Sequence, residues 1–341
     1  MRGRTLSLSL LLAIIAAPLL VLVPAPGASA ATVGDCAAEA ATAPSGWHKS
    51  RYEWCKIEKL SAGERDRGGR VIGTVDALYA IAVTTNQNSQ AVRVEVQVRE
   101  IKSTGTLANA ELSVQLPCSR CTPGVARGRT APLASWRTDP STAFDFTGTL
   151  GDLIGGGPDR VALHYFNPRF VLNDRLTYNA RGSYFRCDQA SYIARGTAGC
   201  VFPQYVPTFT FRLGGNVPLV AQHIDDALNR PASTLPSWRG KTIPSTLHRL
   251  YHDAALRRKN RSTAIATCNR NSPGYAKTTP KQDCDEYPFS ATIEGAARGD
   301  DRYSARPVNA SQNRSAGAQV NQWWERNRII DGDAFTIATG K

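Results

Sequence analysis

All eight cysteines of this 341-residue chain lie beyond residue 30: Cys36, Cys55, Cys118, Cys121, Cys187, Cys200, Cys268 and Cys284. They constrain the fold more than any other feature, and the residues ahead of them set their chemistry. Arg2 and Arg4 precede an apolar run from Leu6 to Val23, and Ala28-Ser29-Ala30 supplies small residues of the A-x-A kind. This order is that of a signal peptide, with cleavage expected after Ala30. The run approaches the length of a membrane span, which leaves an uncleaved anchor as the weaker alternative. An even number of cysteines in an exported chain reads as disulfides. Joining sequence neighbours gives 36–55, 118–121, 187–200 and 268–284, although spacing alone does not fix connectivity. Cys118-Ser119-Arg120-Cys121 has half the spacing of a zinc site, but no second such pair or nearby histidine completes one. The expected location is extracellular, with no transmembrane segment left after cleavage.

The region 31–216 is patterned for strands. Val92, Val94, Val96 and Val98 alternate with Arg93, Glu95 and Gln97, the period of a half-buried strand. Shorter runs of the same kind occur at Leu78–Val83, Ala110–Leu116, Val161–Phe166 and Thr208–Leu213. Their spacing predicts an antiparallel sandwich- or barrel-like module. Gly155-Gly156-Gly157-Pro158 reads as a turn, because it lacks the Lys and Ser/Thr of a phosphate-binding loop. Nothing in this module has the composition of a catalytic site.

Residues 217–244 read as a linker or entry segment, with a short helix within 217–228 and prolines at 231, 236 and 244. Beyond it, Ser245 is a candidate cap for a helix through Leu247, Leu250, Tyr251 and Leu256. On such a helix His248 and His252 would share a face, but Arg249 stands where a zinc protease carries its glutamate. The helix would end in Arg257-Arg258-Lys259-Asn260-Arg261, either a solvated helix end or a grip for phosphate.

Lys and Arg number 41 against 28 Asp and Glu, a formal charge of +13. That balance points to an anionic partner: nucleic acid, an anionic wall polymer or a membrane surface. Only 20% of residues are charged, which excludes a disordered polycation. Within this basic chain, Cys284-Asp285-Glu286-Tyr287-Pro288-Phe289 followed by Glu294-Gly295 forms an acidic focus. Crowded carboxylates are costly unless a cation or a proton-transfer role accounts for them.

The CDEYPF and Glu294-Gly295 stretches, with Asn313-Arg314-Ser315-Ala316-Gly317 and the closing RIIDGDAF, resemble the secreted bacterial deoxyribonucleases of the NucA/NucB type. The resemblance is confined to the C-terminal part and implies a small ββα-metal-like nuclease domain over 245–341. The fold class expected for the whole chain is therefore α+β, with a β-rich module in front. The resemblance further implies divalent-cation-dependent, largely non-sequence-specific hydrolysis of DNA, with Mg²⁺ first and Mn²⁺ or Ca²⁺ as alternatives. In that family an acidic residue of the DE pair stands where related nucleases carry a histidine base. Asp285 is thus the candidate base. Glu286 is its alternative or a holder of basic residues, Glu294 is a candidate to coordinate or position, and Arg314 suits a transition-state phosphate. Asn313 carries a hard carboxamide oxygen suited to Mg²⁺ or Ca²⁺. A helix from Gly317 to Arg328 would turn Val320, Trp323 and Trp324 inward and set Asn321 and Glu325 on another face as further candidate ligands. Ala296 replaces a second glycine typical of the family. Asp331-Gly332-Asp333 reads as a tight turn into a strand.

Arg298, Arg302, Arg306, Arg314, Arg326 and Arg328 join the 257–261 cluster as candidate contacts to backbone phosphates. No recognition-helix or zinc-finger pattern is present to read bases. The alternatives are a wall- or nucleic-acid-binding exported protein with a degenerate nuclease domain, and a secreted antibacterial nuclease toxin. A cell-wall or inhibitor partner would then bind through the N-terminal module.

Overall fold

Alternation becomes burial in the long strands that open the fold. The computed structural model describes Gly34, Cys36, Ala43 and residues 45–151 and 158–341; the signal-peptide segment and the Gly155–Gly157 turn lie outside the described residues. In chain order the first strands are β1 (Trp47–Ser50), β2 (Glu53–Arg65), β3 (Val71–Thr84), β4 (Ala91–Gly105), β5 (Glu111–Pro117), β6 (Cys121–Thr122) and β7 (Val125–Pro132). A short helix α1 (Leu133–Thr138) follows, then β8 (Ser141–Gly148), β9 (Arg160–Phe166), β10 (Arg169–Leu172), β11 (Leu176–Asn179), β12 (Ser183–Gln189) and β13 (Gly199–Val201). On β4, Val92, Val94, Val96 and Val98 are buried while Arg93 is exposed. Each such valine contributes roughly 1.5–3 kcal/mol through the area it removes from water.

These strands form three sheets, ordered β1-β2-β3-β4-β8-β6, β11-β10-β5-β7 and β13-β12-β9. Every pairing within them is antiparallel. One core, including Trp54, Tyr79, Val96, Val114, Phe170 and Phe185, draws on all three. The expected pairs Cys36–Cys55, Cys118–Cys121, Cys187–Cys200 and Cys268–Cys284 are the ones within bonding distance.

The C-terminal part consists of β14 (Thr208–Arg212), α2 (Pro218–Asn229), β15 (Thr246–His248), α3 (Ala254–Asn271), β16 (Gln282–Tyr287), β17 (Ser304–Asn309), α4 (Ala310–Arg326) and β18 (Ala334–Gly340). β18 is central to a three-stranded sheet, parallel to β14 and antiparallel to β15. β16 and β17 pair as an antiparallel hairpin that runs directly into α4. The segment 217–244, read as a linker from its prolines, instead supplies core: Val220, Ala221, Ile224 and Ala227 of α2 pack with Phe211, Tyr287, Val320, Trp324 and Phe335. From Ala31 to Lys341 the chain forms one unit.

Two helix boundaries differ from the sequence reading. The apolar spacing from Leu247 to Leu256 does not make a helix from Ser245, because Thr246–His248 pair with Ala334–Thr336 of β18. Asp331 Oδ1 then accepts the amides of Tyr251 (2.6 Å) and His252 (3.3 Å), and α3 begins at Ala254 with Asp253 accepting from Leu256 N. His248 and His252 therefore share no helix face. They pair separately, with Glu294 (2.8 Å) and Asp159 (3.0 Å). The helix expected from Gly317 begins two turns earlier, where Asn309 caps Ser311 N and Gln312 N. Its inward face is as expected, with Val320 and Trp324 buried and Trp323 packed against the same core.

Arg328 is not a phosphate contact. It is fully buried and reaches into the β-rich part, where Nη2 donates to the Asp188 carbonyl (2.7 Å) and carboxylate (2.5 Å) on β12 and Nη1 to the Gln87 carbonyl (2.6 Å) between β3 and β4. Asp333 of the same closing turn accepts from Arg51 (2.9 Å) and Arg186 (2.6 Å). The turn between α4 and β18 is thereby fastened to the β-rich part.

Candidate active site

Strand alternation decides where the two adjacent carboxylates go. On β16, Asp285 meets α2 and Glu286 meets α3. Asp285 Oδ2 lies 2.6 Å from His223 Nδ1, and His223 Nε2 lies 2.7 Å from Ser304 Oγ. All three side chains are buried. With Asp285 Oδ2 as the acceptor of this contact, Nδ1 is the ring nitrogen that carries the shared hydrogen.

Glu286 is held by Arg261, whose Nη1 donates to its carboxylate and to the Cys284 carbonyl (2.5 Å). Burial pushes the Glu286 carboxyl above the ordinary glutamate range; the Arg261 charge opposes that shift and the Asp285 charge adds to it. Glu286 thus holds a basic residue, one of the two roles open to it. The Cys268–Cys284 disulfide ties α3 to β16 one residue before the pair.

The loop after β16 is organised by Asn260, fully buried on α3. Its Nδ2 donates to the carbonyls of Ser290 (3.0 Å) and Thr292 (3.1 Å), and its Oδ1 accepts from Ala297 N (2.9 Å). Gly295 passes so close that a Cβ there would lie 2.2 Å from Asn260 Nδ2, which explains the glycine. Ala296 needs no such accommodation. Its methyl packs in a small core with Ala264, Cys268, Tyr275 and Cys284, and its φ is not positive.

Asp285, Glu286, Ser290, Asn313 and Asn321 form the polar wall of a cavity of about 260 Å³, with Phe211, Val220, Phe289 and Trp324 on its apolar side. Asn313 Nδ2 donates to the Cys284 carbonyl (3.4 Å) and Asn321 Nδ2 to Glu325 Oε1 (3.1 Å). Both acceptors demand the amino end of the carboxamide, so the oxygens are the ends left for another partner. Among the described residues no group of three or more His, Cys, Asp or Glu is placed to hold a metal ion. A cation in this cavity would therefore rest on a few carboxylate and carboxamide oxygens and on water. That donor set fits Mg²⁺, which keeps several waters and takes few protein ligands.

Three residues expected at the site do not line the cavity. Glu294 accepts from His248 through its backbone N (2.9 Å) and ring Nδ1 (2.8 Å). Arg314 is largely exposed and paired with Asp283 at 3.0 Å. Glu325 orients Asn321 from outside the lining.

Comparison with known families bears on this same region. Residues 239–338 match the deoxyribonuclease NucA/NucB family. The NucA/NucB match takes in Asp285, Glu286, Asn313 and Asn321 but begins only after α2, so His223 lies outside it. No curated protein and no solved structure matches the chain. The sequence reading missed His223 and Ser304. The available signal was the helical spacing that sets His223 among Val220, Ala221, Ile224 and Ala227, on the apolar face of α2.

Proposed function

We propose that this chain is an exported, divalent-cation-dependent endonuclease that hydrolyses DNA phosphodiester bonds with little regard to base sequence. The observation that carries this reading is Asp285, a carboxylate within the NucA/NucB match that is anchored on one oxygen by His223 and lines a cavity together with Glu286, Ser290, Asn313 and Asn321. Hydrolysis of a phosphodiester needs a water made nucleophilic, a site for charge on the phosphoryl oxygens, and a proton for the leaving alkoxide. Asp285 would orient the water and accept its proton. Arg261, held by Glu286, would keep positive charge beside the scissile phosphate. A bound cation would supply charge stabilisation on the phosphoryl oxygen, held by the Asn313 oxygen with Asp285 nearby; Asn321, about 12 Å further along α4, cannot reach the same ion.

Further features support this reading. The order β16-β17-α4 is the ββα order expected of a ββα-metal nuclease. Arg258 and Lys259 are exposed on α3, the helix whose Arg261 reaches the site, which suits contacts to phosphates on either side. The four cysteine pairs at bonding distance suit an extracellular protein, and no helix among the described residues is long and apolar enough to cross a membrane. Ala296, the one departure that favoured a degenerate domain, is accommodated by packing. We take the catalytic unit to run from β14 to β18, because α2 and both outer strands share its core.

The test is the cation requirement of DNA cleavage. Asn313→Ala is expected to raise the Mg²⁺ concentration for half-maximal rate by about 10-fold, the loss of one moderate ligand interaction of roughly 1.4 kcal/mol, while Asn321→Ala is expected to leave it near the parental value. Cleavage by Asn313→Ala with an unchanged Mg²⁺ dependence would remove this residue from the cation site. Absence of cleavage by the parental chain at every Mg²⁺, Mn²⁺ and Ca²⁺ concentration would overturn the function itself.

A further inference from the structure

His223 is the one polar side chain on the buried face of α2; its neighbours there are Val220, Ala221, Ile224 and Ala227. A buried imidazole is costly unless its nitrogens find partners. Here both do, and one partner is the carboxylate at the cavity wall. We infer that His223 is a positioning residue for Asp285: its ring, fixed at the far nitrogen by Ser304, immobilises Oδ2 and leaves Oδ1 to the substrate water. The inference rests on the nuclease reading of the site and extends it to a helix outside the NucA/NucB match.

The ring cannot easily drift. α2 is tied to β17 by Asp226 and Arg306 (2.7 Å) and to β18 by Asp225 and Thr339 Oγ1 (2.7 Å). Ser304 sits on β17 beside Ala305, the register partner of Glu286, so both ends of the chain Ser304–His223–Asp285 belong to the hairpin that carries the carboxylates. Oδ1 takes no hydrogen bond from the described residues, while Asp285 itself lines the cavity. A carboxylate with one oxygen pinned and one free presents a defined lone pair to water. A freely rotating carboxylate would have to be ordered at each turnover.

The experiment uses the full chain with His223→Asn, His223→Gln and His223→Leu, measuring kcat and KM for DNA at saturating Mg²⁺ together with Tm. An asparagine amide can stand where Nδ1–H donates to Asp285; a glutamine amide reaches towards Ser304 instead. The expected result is a loss of about 10–100-fold in kcat for the Gln and Leu variants, the range for supporting residues around a site. The Asn variant is expected to lose less than about 10-fold, and KM is expected to change little in all three. Parental kcat in the Gln or Leu variant overturns the proposal. So does an equal fall in all three that tracks Tm, which would make His223 a packing residue only. If the parental chain cuts DNA and the variants match it, the positioning role alone fails; if the parental chain does not cut, the nuclease reading fails and takes this role with it. Independently of turnover, the ring Nδ1 proton is expected as a downfield NMR resonance that is lost in Asp285→Ala, and its persistence there contradicts the contact.

Discussion

Asp285→Asn is expected to lower kcat for DNA hydrolysis by about 10²–10⁴-fold, the range for loss of a positioned general base. Tm should stay close to the parental value. The amide oxygen of asparagine can still accept the His223 Nδ1 hydrogen that Oδ2 accepts at 2.6 Å, so packing and the buried bond both survive. What is lost is a group able to take a proton from water. KM should hold, because the basic side chains of α3 that we propose meet the DNA phosphates are untouched. Asp285→Ala differs: it leaves a buried ring N–H without its acceptor and should cost about 1–3 kcal/mol of stability in addition. Steady-state rates and thermal melts on the two variants separate these effects. An Asp285→Asn protein that cuts at the parental rate contradicts the assignment.

Arg328→Ala is the substitution expected to damage stability most, by about 3–5 kcal/mol, the cost of breaking a buried ion pair. The guanidinium is fully buried and donates to Asp188, Gln87 and Thr197, all in the β-rich part. Its removal leaves the buried Asp188 carboxylate with Arg186 alone (3.0 Å). The surroundings are built to its shape: a Cβ on Gly199 would lie 2.7 Å from Arg328 Nη1 and 2.1 Å from the Gln87 carbonyl. Urea unfolding measures the loss, and a change below about 1 kcal/mol would show that the junction is dispensable. The same junction predicts a pH limb. Burial alone would raise the Asp333 carboxyl, but the charges of Arg186 and Arg51 outweigh it and hold it below the ordinary aspartate range. A lowered folded pKa gives stability that is present above the unfolded value, about 3.9, and is lost as pH falls through the folded value. Asp333→Asn should remove this acid limb from the parental pH profile.

What was legible in the sequence was local. The valine alternation of β4, the four neighbouring cysteine pairs and the turn at Asp331–Asp333 each depend on a few adjacent residues, and each took the expected form. The cavity brought together Asp285, Glu286, Asn313 and Asn321. What failed depended on partners distant along the chain. Leu247 sits in a strand because β18, nearly ninety residues later, pairs with it as Phe335. The short helix read within 217–228 is present as α2, but its place in the core was not legible, because its apolar face meets β14, the hairpin and α4. Arg328 looked like one more phosphate contact until Asp188 claimed it from a separate sheet. Glu294 accepts from His248, brought near by β15, a partner that no local pattern announces.

The most direct measurement of the central claim is the fate of supercoiled plasmid incubated with the purified chain, first with Mg²⁺, then with excess EDTA, then with Mg²⁺ restored. Nicked, linear and finally oligonucleotide products without a fixed cutting pattern are expected, with arrest under EDTA and recovery when Mg²⁺ returns. Plasmid that is retained by the protein yet stays intact in Mg²⁺, or cutting that continues under complete chelation, would contradict it.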